Sequence, residues 1–486
     1  MISTVYEHVA WMEEHHAGKT AFQYYDDEAG QVRAVTFTEY ICDIRKCATY
    51  LNGKFTHAEG KHVGILARNS YHYMVCVMGI MLAGAVVVPL NYEENPDNIY
   101  YEIEFADVDL LLHDGGYLER EPALKEKYSA ILHGIDEYAR MDIAPDEGIT
   151  GSRKKSHGSE EEDPAMILFT SATTGRSKAV MLSEKNLYAS MGYFTDAALQ
   201  MQTDGTETYL LILPMYHVSG ETIFMTWTVL GVTVNICREI RYLYRDLKLM
   251  HSDMISVVPM VLQSFYKDIK RGRIDRLGGL KSIFCGAASA DPEIFQTFRD
   301  HGIRVTQGYG MTEIFGSGTN NSSGNPEKDG SAGKAVAGCQ LKIDQGEICL
   351  KSDSLMMGYY KAPEATAEVI RDGWLYTGDL GYLDEDGYLY ITGRKKNLII
   401  LSGGENVSPE ELENLLLENS AVREIIVRER GQKICAEIFC AEKDRDSIRA
   451  YIAEFNRKQP YYKRITEVEF RKEAFPRTAS GKMKRV

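Results

Sequence analysis

Brief, wholly apolar runs recur along this chain between amphipathic stretches, and they are the feature that most narrows its fold. Val63-Gly64-Ile65-Leu66, Val86-Val87-Val88 and Ala165-Met166-Ile167-Leu168-Phe169 are three of them. Runs this short, bounded by turn residues, read as strands buried on both faces. Their alternation with helical stretches predicts an α/β layered sheet. A longer apolar stretch, Met74 to Leu90, is too short for a comfortable membrane span. Gly79 and Gly84 divide it, so it reads as a buried helix turning into a strand over 85–90. The first sixteen residues are interrupted by Glu and His and carry no apolar core of a signal peptide.

At 486 residues the chain exceeds the size at which single cores stop growing, so at least two domains are expected. Residues 151–164 are polar and charged and read as a surface loop. A second boundary falls near residue 394, after a turn-rich segment containing Gly373, Gly378, Gly381, Gly387 and Gly393. Beyond it, Ser408-Pro409-Glu410-Glu411 reads as a helix start with Ser408 as N-cap, Pro409 at the first helical position and Glu411 completing a capping box. Leu412, Leu415 and Leu416 form that helix's apolar stripe. Strands are expected at 425–427, 434–439 and 468–470, and a helix over 446–455, making a small α+β unit of about 90 residues.

Net charge is −15, which disfavours nucleic acid and anionic lipid as partners of the whole chain. Residues 457–486 run against that balance, with ten Lys or Arg and three Glu. This basic end suits either an anionic ligand or partner or a solvated face. The nine cysteines are scattered and contain no Cys-x-x-Cys pair, so neither a disulfide framework nor a zinc site is expected, and a cytoplasmic setting fits.

The segment Leu168-Phe169-Thr170-Ser171-Ala172-Thr173-Thr174-Gly175-Arg176-Ser177-Lys178-Ala179 carries chemistry. A strand feeds a loop of small hydroxyl residues closed by Gly175 and Lys178. Hydroxyls, free backbone N–H groups and a lysine suit phosphate oxygens. The spacing does not fit the Walker pattern. Four further segments follow in order: Gly308-Tyr309-Gly310-Met311-Thr312-Glu313, Tyr376-Thr377-Gly378-Asp379, Gly393-Arg394-Lys395-Lys396 and Pro476-Arg477-Thr478-Ala479-Ser480-Gly481-Lys482.

Together these five segments strongly resemble the adenylate-forming superfamily of acyl- and aryl-CoA synthetases, adenylation domains and firefly-type luciferases. The likeness covers nearly the whole chain. It implies a large layered N-terminal α/β domain over 1–393, a hinge at 394–397 and a small mobile α+β lid over 398–486. It implies an ATP-dependent carboxylic acid–thiol ligase that forms an acyl-adenylate and then an acyl thioester. Thr170, Ser171, Thr173, Thr174, Gly175 and Lys178 would hold the ATP β- and γ-phosphates. Tyr309 would stack on adenine, with Gly286, Ala287 and Ala288 lining that pocket and Gly310 and Met311 also binding the nucleotide. Thr312 would contact the α-phosphate, and Glu313 would bind Mg2+. Asp379 and Arg394 would hold the ribose, Lys482 would bridge the carboxylate and the α-phosphate, and Lys396 would be the hinge. Gly403, with Gly404, would line the route of the acceptor, which is CoA or the phosphopantetheine of a carrier protein.

Leu213-Pro214-Met215-Tyr216-His217-Val218-Ser219-Gly220 resembles the Pro-x-x-His-x-x-Gly segment of acyl- and aryl-CoA synthetases, where the His sits beside the substrate carboxylate. Amino-acid-activating relatives place an Asp where Val218 stands, to pair with an α-ammonium. The expected substrate is therefore a small-molecule carboxylic acid without an α-amino group. Fatty acids come first, because Met215 and Met225 suit an aliphatic pocket, and aryl acids second. The chain departs from the family pattern at Ala172 and Ala179, where glycine is usual, at Ser177, where proline is usual, and at Asn397, where Asp is common. Loading of a carrier protein with an acyl or aminoacyl group, and a non-catalytic nucleotide-binding homologue, are the alternatives.

Overall fold

A computed structural model describes residues 2–150, 164–170, 176–202, 207–286, 292–400, 406–431, 433–477 and 483–485. Two large sheets carry the N-terminal part. One runs, in spatial order, Gly358–Tyr359, Ala179–Leu182, Met166–Phe169, Val86–Pro89, His62–Leu66, Leu110–His113 and Leu132–Gly134. Its strands from Met166–Phe169 to Leu132–Gly134 are all parallel, as the uninterrupted apolar runs require. The other has nine strands, with Arg304–Tyr309, Ser282–Gly286, Met254–Val257, Thr208–Leu211 and Thr233–Ile236 adjacent and parallel.

The apolar stretch at 74–90 is indeed a helix, Tyr71–Leu82, followed by the strand Val86–Pro89. Every residue of that helix except His72 is buried, as a helix apolar on all sides must be. One of the two glycines departs from the expectation. Gly84, with φ +78°, lies in the break. Gly79 lies inside the helix, where an added Cβ would sit 2.7 Å from Cys47 Cβ on helix Phe37–Phe55. Its small size serves helix packing rather than chain interruption.

A third sheet, of Cys339–Asp344, Glu347–Ser352, Trp374–Leu383, Ile370–Arg371 and Leu389–Arg394, leads to the small C-terminal part. That part holds helices Pro409–Leu417 and Arg445–Lys458 and a sheet of Glu424–Arg430, Lys433–Phe439 and Ile465–Arg471 around its own apolar core. Ser408 caps the first helix by accepting from the Glu411 amide at 3.3 Å. The capping box expected there is only half made. The Glu411 carboxylate is held instead by Lys463 at 2.6 and 2.9 Å, a charged partner stronger than the amide it was expected to meet.

The nine cysteines are free thiols, all buried except Cys42. Among the described residues no helix is long and apolar enough to cross a membrane. The polar stretch at 151–163 lies outside the described residues.

Candidate active site

The apolar strand Met166–Phe169 pairs antiparallel with Ala179–Leu182, and Phe169 faces Ala179 at the mouth of the candidate phosphate loop. The neck is closed by the Thr170 amide donating to the Lys178 carbonyl at 2.9 Å and the Lys178 amide donating to Thr170 Oγ1 at 3.4 Å. Ser171, Ala172, Thr173, Thr174 and Gly175 lie outside the described residues. The Lys178 ammonium rests 4.6 Å from the centre of the Tyr359 ring. Tyr359, on the strand beside Ala179–Leu182, donates its hydroxyl to Glu313 Oε1 at 2.8 Å. Loop lysine and candidate metal ligand are thus joined through one aromatic side chain.

Glu313 sits in a tight turn after the strand Arg304–Tyr309. The Gly316 amide donates back to the Met311 carbonyl at 2.9 Å, and Phe315 adopts a left-handed conformation with φ 46°. An added Cβ at Gly310 would lie 1.9 Å from the Gly316 carbonyl oxygen, so only glycine closes this turn. The Phe315 carbonyl accepts from Ser190 Oγ at 2.8 Å and Thr222 Oγ1 at 3.2 Å, which offsets the strained conformation. Glu313 is 7% exposed. Burial raises the pKa of its carboxyl, while the Tyr359 hydrogen bond and the charges of Arg394 and Lys178 pull it back.

Tyr309 donates its hydroxyl to Asp379 Oδ2 at 2.6 Å, and Arg394 Nε meets Asp379 Oδ1 at 2.6 Å. Asp379 and Arg394 are cross-strand partners on Trp374–Leu383 and Leu389–Arg394, so sheet register sets this pair. Before Asp379, the chain turns at Gly378, with φ +72°, whose amide donates to Glu347 Oε1 at 2.9 Å. Glu347 also holds Lys395 at 2.7 Å. Gly286 ends its strand opposite Gly308, next to this cluster, while Ala287 and Ala288 lie outside the described residues.

The third approach is made by Pro214 to Gly220. The His217 amide donates to the Pro214 carbonyl at 3.1 Å and the Gly220 amide to the His217 carbonyl at 3.0 Å. A Cβ at Gly220 would lie 2.3 Å from the Pro214 oxygen, which explains the glycine of the motif. His217 is the N-cap residue of helix Val218–Leu230. That helix reaches the Glu313 turn through Thr222, and Val218 Cγ2 would lie 3.7 Å from a Cβ on Gly316. Asn69 clamps the segment from below, donating to the Leu213 carbonyl and accepting from the Met215 amide, both at 2.9 Å.

Met215 and Met225 are fully buried in the main core, so the aliphatic-pocket argument for fatty acids loses its support. Lys396 is exposed in the turn Lys395–Asn397, and its pKa is lowered first by partial desolvation of its charge and then by Arg394. Gly403 and Lys482 lie outside the described residues. The sequence reading did not single out Tyr359, Asn69 or Glu347. Their partners lie 46, 144 and 48 positions away, and no spacing pattern points to contacts of that kind.

Among the described residues no cluster of three or more His, Cys, Asp or Glu side chains could hold a metal by itself. One buried carboxylate beside a candidate phosphate loop suits Mg2+, which takes one or two protein carboxylates and fills its shell with phosphate and water.

Comparison with known proteins agrees with this geometry. The family model described as AMP-binding enzyme matches residues 9–360. The 2-succinylbenzoate–CoA ligase of Bacillus cereus (strain Q1) is 30% identical over 397 residues, 76% of this chain and 76% of its own length. The structure of O-succinylbenzoate coenzyme A synthetase from Bacillus subtilis in complex with AMP is 26% identical, with a TM-score of 0.80 over 98% of this chain and 97% of that one. The same enzyme in complex with ATP and magnesium ion is 27% identical, with a TM-score of 0.78 over 98% of each chain. The fold thus has its counterpart in known enzymes, and the chain belongs to the AMP-binding enzyme family.

Proposed function

We propose that the chain is an ATP-dependent acid–thiol ligase that joins an aryl carboxylic acid to CoA through an acyl-adenylate. The observation that carries this is the meeting of three groups. Lys178, Tyr359 and Glu313 form one, Tyr309, Asp379 and Arg394 the second, and the His217 segment the third. In this reading Thr170 and Lys178, with Ser171, Thr173, Thr174 and Gly175, bind the β- and γ-phosphates. Gly286, Ala287, Ala288, Tyr309, Gly310 and Met311 enclose adenine, and Asp379 and Arg394 take the ribose hydroxyls. Thr312 faces the α-phosphate. Glu313 holds Mg2+, which when bound neutralises charge on the departing pyrophosphate.

The main obstacle is the approach of a carboxylate to an anionic phosphate, so positioned cations carry most of the catalysis. His217 stands at the carboxylate. Val218 offers no partner to an α-ammonium, and a buried unpaired cation costs several kcal/mol, so α-amino acids are disfavoured. The succinylbenzoate ligases among the relatives move aryl acids ahead of fatty acids. CoA is preferred to a carrier protein for the same reason, with Gly403 on its path and Lys396, within 394–397, as the pivot between half-reactions.

The test is ATP–pyrophosphate exchange with 2-succinylbenzoate, benzoate, octanoate, palmitate and the proteinogenic amino acids, followed by thioester formation with CoA. Exchange and thioester with an aryl acid are expected. Exchange driven best by an amino acid, or acyl transfer only to a phosphopantetheinyl carrier, would reverse the assignment, and no exchange with any acid would favour a non-catalytic homologue. Lys482→Ala is expected to slow adenylate formation roughly 10²–10³-fold. Thioester formation from supplied acyl-adenylate should survive far better, and equal loss in both steps refutes the assignment of Lys482 to the first.

A further inference from the structure

Helix Pro96–Phe105 buries Ile99, Glu102 and Ile103 on one face, so a carboxyl occupies a position the helix pattern reserves for an apolar side chain. Glu102 is 3% exposed. Its Oε1 accepts from Ser177 Oγ at 2.9 Å, and its Oε2 has no hydrogen-bond partner among the described residues. Burial pushes the carboxyl up to about 7, with the Ser177 bond pulling the other way and the Glu94 charge adding to the rise. A group so costly to bury, and only half satisfied, calls for a reason beyond packing.

Ser177 stands between Arg176 and Lys178 on the closing edge of the phosphate loop. The same helix grips that edge a second time, because the Arg176 guanidinium lies 4.5 Å from the centre of the Tyr101 ring. Two consecutive helix residues therefore hold two consecutive loop residues, directly before the lysine that faces Tyr359 and Glu313. Position 177 is also where the resembled family usually has proline, whose ring fixes φ. A serine lacks that restraint, and the Glu102 bond restores one from outside the loop.

We propose that Glu102 is a positioning residue that fixes the Arg176–Lys178 edge of the phosphate loop through Ser177 and so sets the affinity for ATP. The proposal rests on the reading that this loop holds the ATP phosphates. Glu102 itself touches no substrate.

The measurement is the dissociation constant of ATP with Mg2+, by calorimetric titration of the full chain, with unfolding midpoints recorded to verify folding. Glu102→Ala and Ser177→Ala are each expected to weaken ATP roughly tenfold, a change typical of losing one hydrogen bond to an ionisable group. The double variant should be no weaker than the weaker single, as two ends of one bond are not additive. Glu102→Gln, which keeps an acceptor for the Ser177 hydroxyl, should recover most of the affinity, a rescue that loss of packing alone would not give. Ser177→Ala carries little risk of unfolding and keeps the test informative if Glu102→Ala does not fold. Unchanged affinity in Ser177→Ala, or multiplied effects in the double variant, overturns the proposal. Lys178→Ala separates the two levels. If it weakens ATP while the Ser177 variant does not, only the positioning role fails, and if it leaves ATP binding intact, the phosphate-loop reading fails with it.

Discussion

Asp379 is the residue on which the proposed nucleotide end of the site turns, for it accepts from Tyr309 and faces Arg394 at once. Asp379→Asn keeps the shape and removes the charge. A hydrogen bond to a charged group contributes roughly 1.5–3 kcal/mol, so the KM for ATP in pyrophosphate exchange should rise about 10- to 100-fold. An unchanged KM would remove Asp379 from the ribose site. His8 governs a different property. It is fully buried, with Nδ1 3.2 Å from the Tyr188 hydroxyl and Nε2 3.2 Å from Thr228 Oγ1. Burial drives its pKa down from 6.5 to about 3. The unfolded chain therefore takes up a proton below pH 6.5 that the folded chain refuses until about pH 3, and stability falls as pH falls across that window. The loss between pH 7 and pH 4 should be roughly 3 kcal/mol in urea unfolding. His8→Gln, which does not titrate, should flatten that acid limb, and an equally steep limb in the variant would mean that other groups cause it.

Helices and strands were mostly legible because each follows from a local pattern. The apolar stretch at 74–90 gave a helix and a strand, and the helix expected over 446–455 is Arg445–Lys458. What stayed hidden depends on partners far away in sequence. Glu411 looked like half of a capping box until Lys463 came beside it. Within the candidate site, Asp379 and Arg394 stand in motifs read from the sequence, whereas Tyr359 became visible only once its strand paired with Ala179–Leu182. Gly79 is the clearest misreading, since a glycine that breaks a helix and one that lets two helices touch look alike in sequence. The packing makes a prediction with a definite sign. Alanine is favoured over glycine by about 1 kcal/mol inside a helix, yet here the new Cβ would press on Cys47. Overpacking typically costs 1–3 kcal/mol, so Gly79→Ala should lower stability by a net of up to roughly 2 kcal/mol in urea unfolding, and a gain would show that the two helices have room to separate.

The whole molecule is a large two-sheet body joined to a small α+β part, and the proposed two half-reactions would ask those parts for two arrangements. With Lys396 as the proposed pivot, Lys396→Pro should fix φ near −65° and hold the enzyme at the adenylate stage. Acyl-adenylate is then expected to accumulate in single-turnover experiments while thioester formation stops, and normal thioester turnover would move the pivot elsewhere. One contact already crosses that junction. The Ser408 hydroxyl, besides capping its helix, donates to the Thr392 carbonyl at 2.7 Å, and Gly393, where a Cβ would lie 2.3 Å from Ser408 Oγ, leaves it the space to do so. Any turn about Lys396 has to release this bond. A bond of about 1 kcal/mol shifts a two-state equilibrium roughly fivefold. With Lys396 as the proposed pivot, the hydroxyl would weight the time the molecule spends in the arrangement seen here, so that a capping side chain would also act as a brake on the change between half-reactions.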